Sequence, residues 1–301
     1  MLKKFHFINN RKITYILLCT FLIIGVASFI ISGFNLDIDF SGGTELQLNI
    51  GREVNDEVCD KINGIIRDNI GSDYVSSTRP SITDNNMAVI RTGTKDLNID
   101  QQQILNSELA TAFPEANFTD STYNSISPTI GQGLKKTAII SVSVAVLLML
   151  VYIWIRFEVV SGFAAVLCLS HDLFIMFTLY SLLQIPINST IIAALLTILG
   201  YSINATIIVF DRVRENRTKF GNSKSFADTV DLSIHQTLAR SVNTTITTLL
   251  TIGMVYILGV DAIRNFALPL IVGILAGLFS SVFLSGLLWV QGNKYFKKEA
   301  K

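Results

Sequence analysis

The sequence predicts an all-α membrane bundle of six spans, interrupted after the first span by one folded α+β domain outside the cytoplasm. Three observations carry this reading. Half of the 301 residues are hydrophobic and only 16% are charged, against about 25% in a soluble globular chain. The apolar residues fall in long runs rather than in periodic stripes. One polar stretch of about 100 residues, long enough to bury a core of its own, separates the first run from the second.

A hydrocarbon core of about 30 Å needs roughly 20 mostly apolar helical residues. Six runs meet this: 13–33, 137–155, 159–184, 187–210, 241–260 and 266–290. The first could be a signal peptide, since Lys3, Lys4, Arg11 and Lys12 precede it and Gly25-Val26-Ala27 resembles a cleavage site. A signal core is usually only about 7–15 residues, and this run continues past Ala27 to Ile31. It therefore reads as a retained anchor. The chain then divides into a tail and first span (1–34), an exported domain (35–134), five further spans with a cytoplasmic loop at 211–239 (135–291), and a tail (292–301).

Basic residues set the orientation. With the N-terminus inside, cytoplasmic segments hold Lys3, Lys4, Arg11, Lys12, Arg156, Arg212, Arg214, Arg217, Lys219, Lys224 and Arg240, and the last tail adds Lys294, Lys297, Lys298 and Lys301. The two short outer connections hold only Arg264. Lys135 and Lys136, at the outer end of the second span, are a minor exception. This asymmetry places both termini in the cytoplasm.

Within the exported stretch, Thr44–Ile50 alternates polar and apolar residues as a half-buried strand does. Val54, Val58, Ile62, Ile66 and Ile70 then recur every fourth residue, which predicts a helix. Strand candidates follow at 74–82 and 86–92, joined by Asp84-Asn85-Asn86. A second helix puts Ile104, Leu105, Leu109, Ala112 and Phe113 on one face and ends before Pro114, and a last strand covers 115–126. The order β-α-β-β-α-β predicts a ferredoxin-like domain. It holds no nucleophile, base and orienter cluster, so a docking role is expected and an enzyme is not. Net charge is +1, which gives no pull toward nucleic acid. Cys19, Cys59 and Cys168 lie in three separate segments. They support neither a disulfide in the domain nor a metal site, and no cofactor is expected.

Polar groups inside the spans are the most informative residues, because lipid cannot solvate them. His171 and Asp172 sit about 12 residues, roughly 18 Å, from the inner end of the third span. They are either a structural pair bonded to neighbouring helices or a protonatable site. Arg240, Asn243, Thr244, Thr247, Thr248 and Thr251 share one face of the fifth span, a face expected to look into the bundle. The helix carrying it is expected to start near Ser225, and Arg240 either enters the bundle or snorkels to the inner headgroups. Arg212, Arg214 and Arg217 read as orienting charges. Gly273, Gly277, Ser281 and Ser285 recur every four residues as a small-residue tape for close helix packing. Ala193, Thr197, Gly200 and Asn204 give the fourth span a similar small face.

Asp37-Ile-Asp39-Phe40-Ser-Gly42-Gly43 resembles the D-F-T/S-G-G signature shared by the SecD/SecF family. Its glycines permit a tight turn and Asp39 can cap exposed amides. Tyr152–Phe157 resembles the family's Y-I-W-x-R-F, and His171-Asp172 resembles the H-D of its SecF branch. Gly200-Tyr-Ser-Ile-Asn204, Asp211-Arg-Val-Arg-Glu-Asn216, Gln236-Thr-Leu-Ala-Arg240 and Phe279-Ser-Ser-Val-Phe283 extend the resemblance over nearly the whole chain. It implies a SecF-type subunit of the bacterial inner membrane, in the resistance-nodulation-division superfamily. Such a subunit works with SecD, the SecYEG channel and accessory Sec subunits, and uses proton-motive force to help export preproteins. The resemblance also implies a proton-coupling role for Arg240. The family's partner Asp in G-Y-S-x-N-D is Ala205 here, so that role does not carry over to this position. Asp172, Asp211 and an Asp on SecD are the remaining counter-charges. Two rivals stand beside this reading: a passive scaffold half of the complex, and a small-molecule or lipid efflux protein of the same superfamily.

The topology has a direct check. Single cysteines between Gly51 and Asn124 should react with an impermeant thiol reagent in intact cells, and cysteines at Arg217 and Lys298 only after permeabilisation. Labelling of the 211–225 segment from outside refutes the six-span arrangement.

Overall fold

The computed structural model describes residues 6–8, 11–81, 85–92 and 97–299. Asp84 of the expected hairpin, residue 82 of the expected strand, and Lys3, Lys4 and Lys301 lie outside them, as do the side chains of Lys297 and Lys298. The chain forms two compact units. One comprises 1–35, 141–185 and 190–301; the other comprises 36–140 and 186–189.

The first unit is helical: α1 (Arg11–Ile31), most of α5 (Pro128–Arg156), α6 (Val159–Leu182), α7 (Ile191–Phe220), α8 (Phe226–Leu258), α9 (Asp261–Phe279) and α10 (Ser285–Glu299). Among the described residues, six helical segments are long and apolar enough to cross a membrane, the last running through α9 and α10. Several exceed a bilayer's thickness. The stretch 211–239, expected as a loop, is helical except around 221–225, because α7 and α8 continue past their apolar parts on charged residues. Arg212 pairs with Glu215 one turn on, at 2.6 Å. The Ser225 side chain caps α8 by accepting the Asp228 N–H, at the start the sequence predicts.

Small residues decide where these helices touch. A Cβ on Gly273 of α9 would lie 2.2 Å from Ile198 of α7, and one on Gly277 would lie 3.2 Å from Ser202. Gly25 of α1 packs on Phe174 and Thr178 of α6, and Ser28 donates to Ser181 at 2.8 Å. Gly286 and Gly292 of α10 meet Val230 of α8 and Val160 of α6. The tape is not one straight stripe, however. Residues Ser280–Leu284 form a π turn, which inserts an extra residue and re-aims everything beyond Gly277. Ser281 and Ser285 are buried and bond back to Leu278 and Ser281 carbonyls.

The N-terminal approach to α1 is also packed. Phe7 is buried in the core, edge-on to His235 of α8 and Phe283 of the π turn. Beside it, His6 Nδ1 lies 2.8 Å from Asp231 Oδ2.

The second unit holds a four-stranded antiparallel sheet: β1 (Gly43–Asn49), β2 (Val75–Pro80), β3 (Met87–Thr92) and β4 (Asn117–Ile126), in the order β2-β3-β1-β4. α3 (Asp56–Asn69) follows β1, and α4 (Ile99–Ala112) follows β3. Leu46, Leu48, Ile62, Ile66, Ile90, Leu105 and Leu109 make its core. Asn55 caps α3, and Asn98 with Gln101 forms a capping box on α4.

Adding one methyl at Gly273 forces Ile198 to move, and overpacking of this kind costs about 1–3 kcal/mol. Gly253 of α8 has open space around it, and Gly→Ala in an open helix position gains up to about 1 kcal/mol. Gly273→Ala should therefore lower the thermal transition of the purified protein, while Gly253→Ala should leave or raise it.

Candidate functional site

Asp172 lies in the middle of α6 with no solvent exposure. A carboxylate there needs donors from other helices, and the packing supplies them. Its Oδ2 accepts the Ser280 hydroxyl of the π turn at 2.8 Å and the Ser202 hydroxyl of α7. Its Oδ1 pairs with His171 Nδ1 at 2.9 Å. His171 Nε2 is buried without a partner among the described residues, beside the Phe279 ring. Asp172 thus ties three elements through one side chain. His171 and Asp172 stand out in the sequence, whereas Ser202 and Ser280 do not, although they lie within Gly200–Asn204 and Phe279–Phe283. A lone serine in an apolar run carries no periodic signal.

Arg240 is elsewhere. It is exposed at the surface of the unit, and no carboxylate among the described residues lies within ion-pair reach. With Asp211, Arg212, Glu215, Gln236 and Thr237 it lines an open groove of about 470 Å³ between α7 and α8. Asp211 is not its counter-charge: it pairs with Arg156 at 2.8 Å. Asn243, Thr244, Thr247 and Thr251 are exposed as well. The expectation that this face looks into the chain's own bundle is therefore wrong. The buried polar stripe of α8 is Thr229, Ser233, Thr237, Ser241 and Thr245. Small hydroxyls bond back to carbonyls one turn earlier, as Ser233, Thr237 and Thr245 do, and so can be buried without help. Arginine and asparagine cannot. Ala193, Thr197, Gly200 and Asn204 of α7 also face outward.

The segment Asp37–Gly43 forms a short helical turn, α2 (Ile38–Ser41), rather than a bare turn. Asp37 is its cap: Oδ1 accepts the Ile38 N–H at 2.7 Å and also the Arg91 guanidinium at 3.1 Å. Arg91 Nε in turn reaches Glu45 Oε2 at 2.8 Å. Burial pushes the Asp37 carboxyl above the ordinary carboxylate range, against the pull of Arg91. Asp39 Oδ2 accepts the Ser189 N–H at 2.7 Å, and the Asp37 N–H donates to Ile187 O at 3.0 Å. Gly42 has φ +75°, and a Cβ there would lie 2.8 Å from the Pro128 Cα. The Phe40 N–H donates to Asp37 O at 3.0 Å. The signature thus fastens segment 186–189 and, through Arg91, the sheet.

These features match known proteins. The family model described as "Protein export membrane protein SecD/SecF, C-terminal" matches residues 105–294. The protein translocase subunit SecF of Sebaldella termitidis is 35% identical over 95% of this chain and 91% of its own length. The chain belongs to the SecF family. The SecDF of Bacillus subtilis is 31% identical over 99% of this SecF-family chain. The crystal structure of SecDF from Thermus thermophilus, described as a translocon-associated membrane protein, superposes with a TM-score of 0.84 at 30% identity over 97% of the chain. This chain spans 40% and 39% of those two longer proteins. As a SecF-family member it is a multi-pass membrane protein of protein export.

Removing one partner of a buried ion cluster leaves the others uncompensated, at about 3–5 kcal/mol. Arg91→Ala strands Asp37 and Glu45 together. It should make the second unit cleavable by added protease in the otherwise membrane-inserted protein, whereas Arg52→Ala, at an exposed position, should not.

Proposed function

We propose that this chain assists preprotein translocation across the bacterial inner membrane as a partner of SecD, driven by proton-motive force, and that it is not an enzyme. The observation that carries this is the outward polar face of α8. A charge in a span without a partner costs up to about 2.5–3.5 kcal/mol at mid-membrane and less near the inner edge, where Arg240 lies, and no carboxylate among the described residues pairs with Arg240. On this reading a second protein covers this face, and the small outward face of α7 suits the same close approach. That the family also occurs as single SecDF chains supports SecD as this partner. The SecYEG channel, the accessory Sec subunits and the translocating preprotein complete the assembly. The basic residues support an orientation with both termini cytoplasmic. The sheet order β2-β3-β1-β4 with both helices after alternate strands supports a ferredoxin-like domain on the outer side.

One charge crossing 100 mV releases about 2.3 kcal/mol, enough to bias two conformations a few kcal/mol apart. On this reading an Asp of SecD faces Arg240, and Asp172 with His171 supports the bundle as a second protonatable site. Ala205 favours the rival in which this chain is only the scaffold of a proton-conducting SecD. The two separate experimentally. Arg240→Ala should abolish the proton-dependent part of preprotein export in vesicles carrying the assembled complex, and Ala205→Asp should be tolerated. Full export by the Arg240→Ala protein leaves the scaffold.

A further inference from the structure

The last span is broken at its most buried point. Between α9 and α10 the π turn puts the Ser285 N–H on the carbonyl of Ser280, five residues back. Such turns are rare, and neighbouring contacts must hold them. Here the holders converge on Ser280. Its hydroxyl donates to Asp172 Oδ2 at 2.8 Å, and its carbonyl faces the Cys168 thiol at 3.8 Å.

An ionised carboxylate only accepts hydrogen bonds. In that state the Ser280 and Ser202 hydroxyls and the His171 ring all have reason to point at Asp172. A proton added to Oδ2 turns that atom into a donor, and the Ser202 oxygen is there to accept. Ser280 then loses its best acceptor but has another within reach, since Gly277 O lies 3.2 Å from its Oγ. The charge on Asp172 thus decides whether Ser280 bonds across to α6 or back into its own helix.

We propose that Ser280 and Ser202 are positioning residues for Asp172, and that the register of the π turn is what the charge on Asp172 controls. Ionised, the carboxylate holds the extra residue at Ser280–Leu284. Neutralised, it releases the turn, and α10 re-registers against α6, α7 and α8. The proton adds to Oδ2 and leaves from it, and no other bond is made or broken. The inference rests on the reading of Asp172 as protonatable. The titratable groups facing it are His171 and, one turn earlier, Cys168. α7 and the π turn present hydroxyls only, while α1 and α10 meet α6 at Gly25, Ser28 and Gly292.

α10 carries its own reporter. Trp289 is buried, with its ring 4.8 Å from Phe210 of α7 and 5.4 Å from Phe226 of α8. Its Nε1 has no partner among the described residues, an unfavourable state for a buried donor. The other tryptophan, Trp154, is 75% exposed.

The test is the emission of Trp289 in the full chain carrying Trp154→Phe, reconstituted in lipid nanodiscs. Asp172→Asn, a neutral side chain of the same shape, should shift the emission maximum. Ser280→Ala should shift it in the same direction, and the double variant should shift no further, because both remove one contact. Ser285→Ala, whose hydroxyl bonds only its own helix, should leave it in place. Acidification should carry the parent toward the Asp172→Asn value and leave that variant unmoved. An unchanged maximum in folded Asp172→Asn, or additive shifts in the double variant, overturns the proposal. If Asp172→Asn does not fold, the acid response of Ser280→Ala decides: it should be smaller than the parent's, and an equal response overturns the idea. Export is a separate readout. Normal proton-dependent export by an Asp172→Asn protein that still shows the Trp289 shift would remove Asp172 from the export mechanism and keep the switch.

Discussion

A carboxylate in hydrocarbon has to be surrounded by donors it does not carry itself, and much of the bundle is arranged around that need at Asp172. α6 alone offers it only His171. The remaining donors must arrive from α7 and from the last span, and both must reach the same oxygen. That requires α7 and α9 to lie closer than ordinary side chains permit. Gly273 against Ile198 and Gly277 against Ser202 provide the closeness. Ser280, one turn beyond Gly277 at the end of α9, reaches the same oxygen, and the π turn that starts there re-aims Ser281 and Ser285 away from a straight four-residue repeat. The small-residue tape and the buried acid, separate features of the sequence, are one feature of the fold.

The polar side chains of α8 differ in what each can satisfy alone. A threonine or serine returns its hydroxyl to the carbonyl one turn before and enters the interior as a small, nearly neutral group. Thr229, Ser233, Thr237 and Thr245 are buried on that basis, while the buried Ser241 hydroxyl has no partner among the described residues. Arg240 carries donors in a planar fork that no carbonyl of its own helix can absorb. It is left outward with Asn243 and its neighbouring threonines, which makes a surface that lipid alone cannot serve. On α8 the groups that cannot satisfy themselves, Arg240 and Asn243, lie outward, beside threonines such as Thr244 and Thr251 that bond back to their own helix on the same face.

Much of this was legible in the residue order. Long apolar runs gave six spans, and the alternation at Thr44–Ile50 with the fourfold repeat from Val54 gave β1 and α3. Asp172 stood out because an acid in an apolar run has few explanations. Other features left no such trace. The burial of one α8 face over the other depends on which neighbours exist, and both faces read as polar. The helical continuations through 211–220 and 226–239 were hidden by charge, since a hydropathy window ends where the membrane does and a helix need not. The ion cluster of Asp37, Arg91 and Glu45 joins residues far apart in the chain. The signature drew attention to Asp39, while Asp37, two residues before it, is the one that caps α2 and reaches the sheet.

Ala205, where the family resemblance implies an aspartate, gains meaning from these contacts. Among the described residues, Asp172 is the one carboxylate with no exposure at all. Ser202 of α7 is one turn before Ala205 on the same helix, so α7 still contributes to an acid site, though as a donor of a hydroxyl rather than as the acid. An arginine without an acid of its own faces outward, and an acid without an arginine is held inward by serines. The two charges that would neutralise one another in a simple ion pair are thus kept apart on α6 and α8. α7, which packs against α8 on one side and bonds Asp172 through Ser202, is the element common to both.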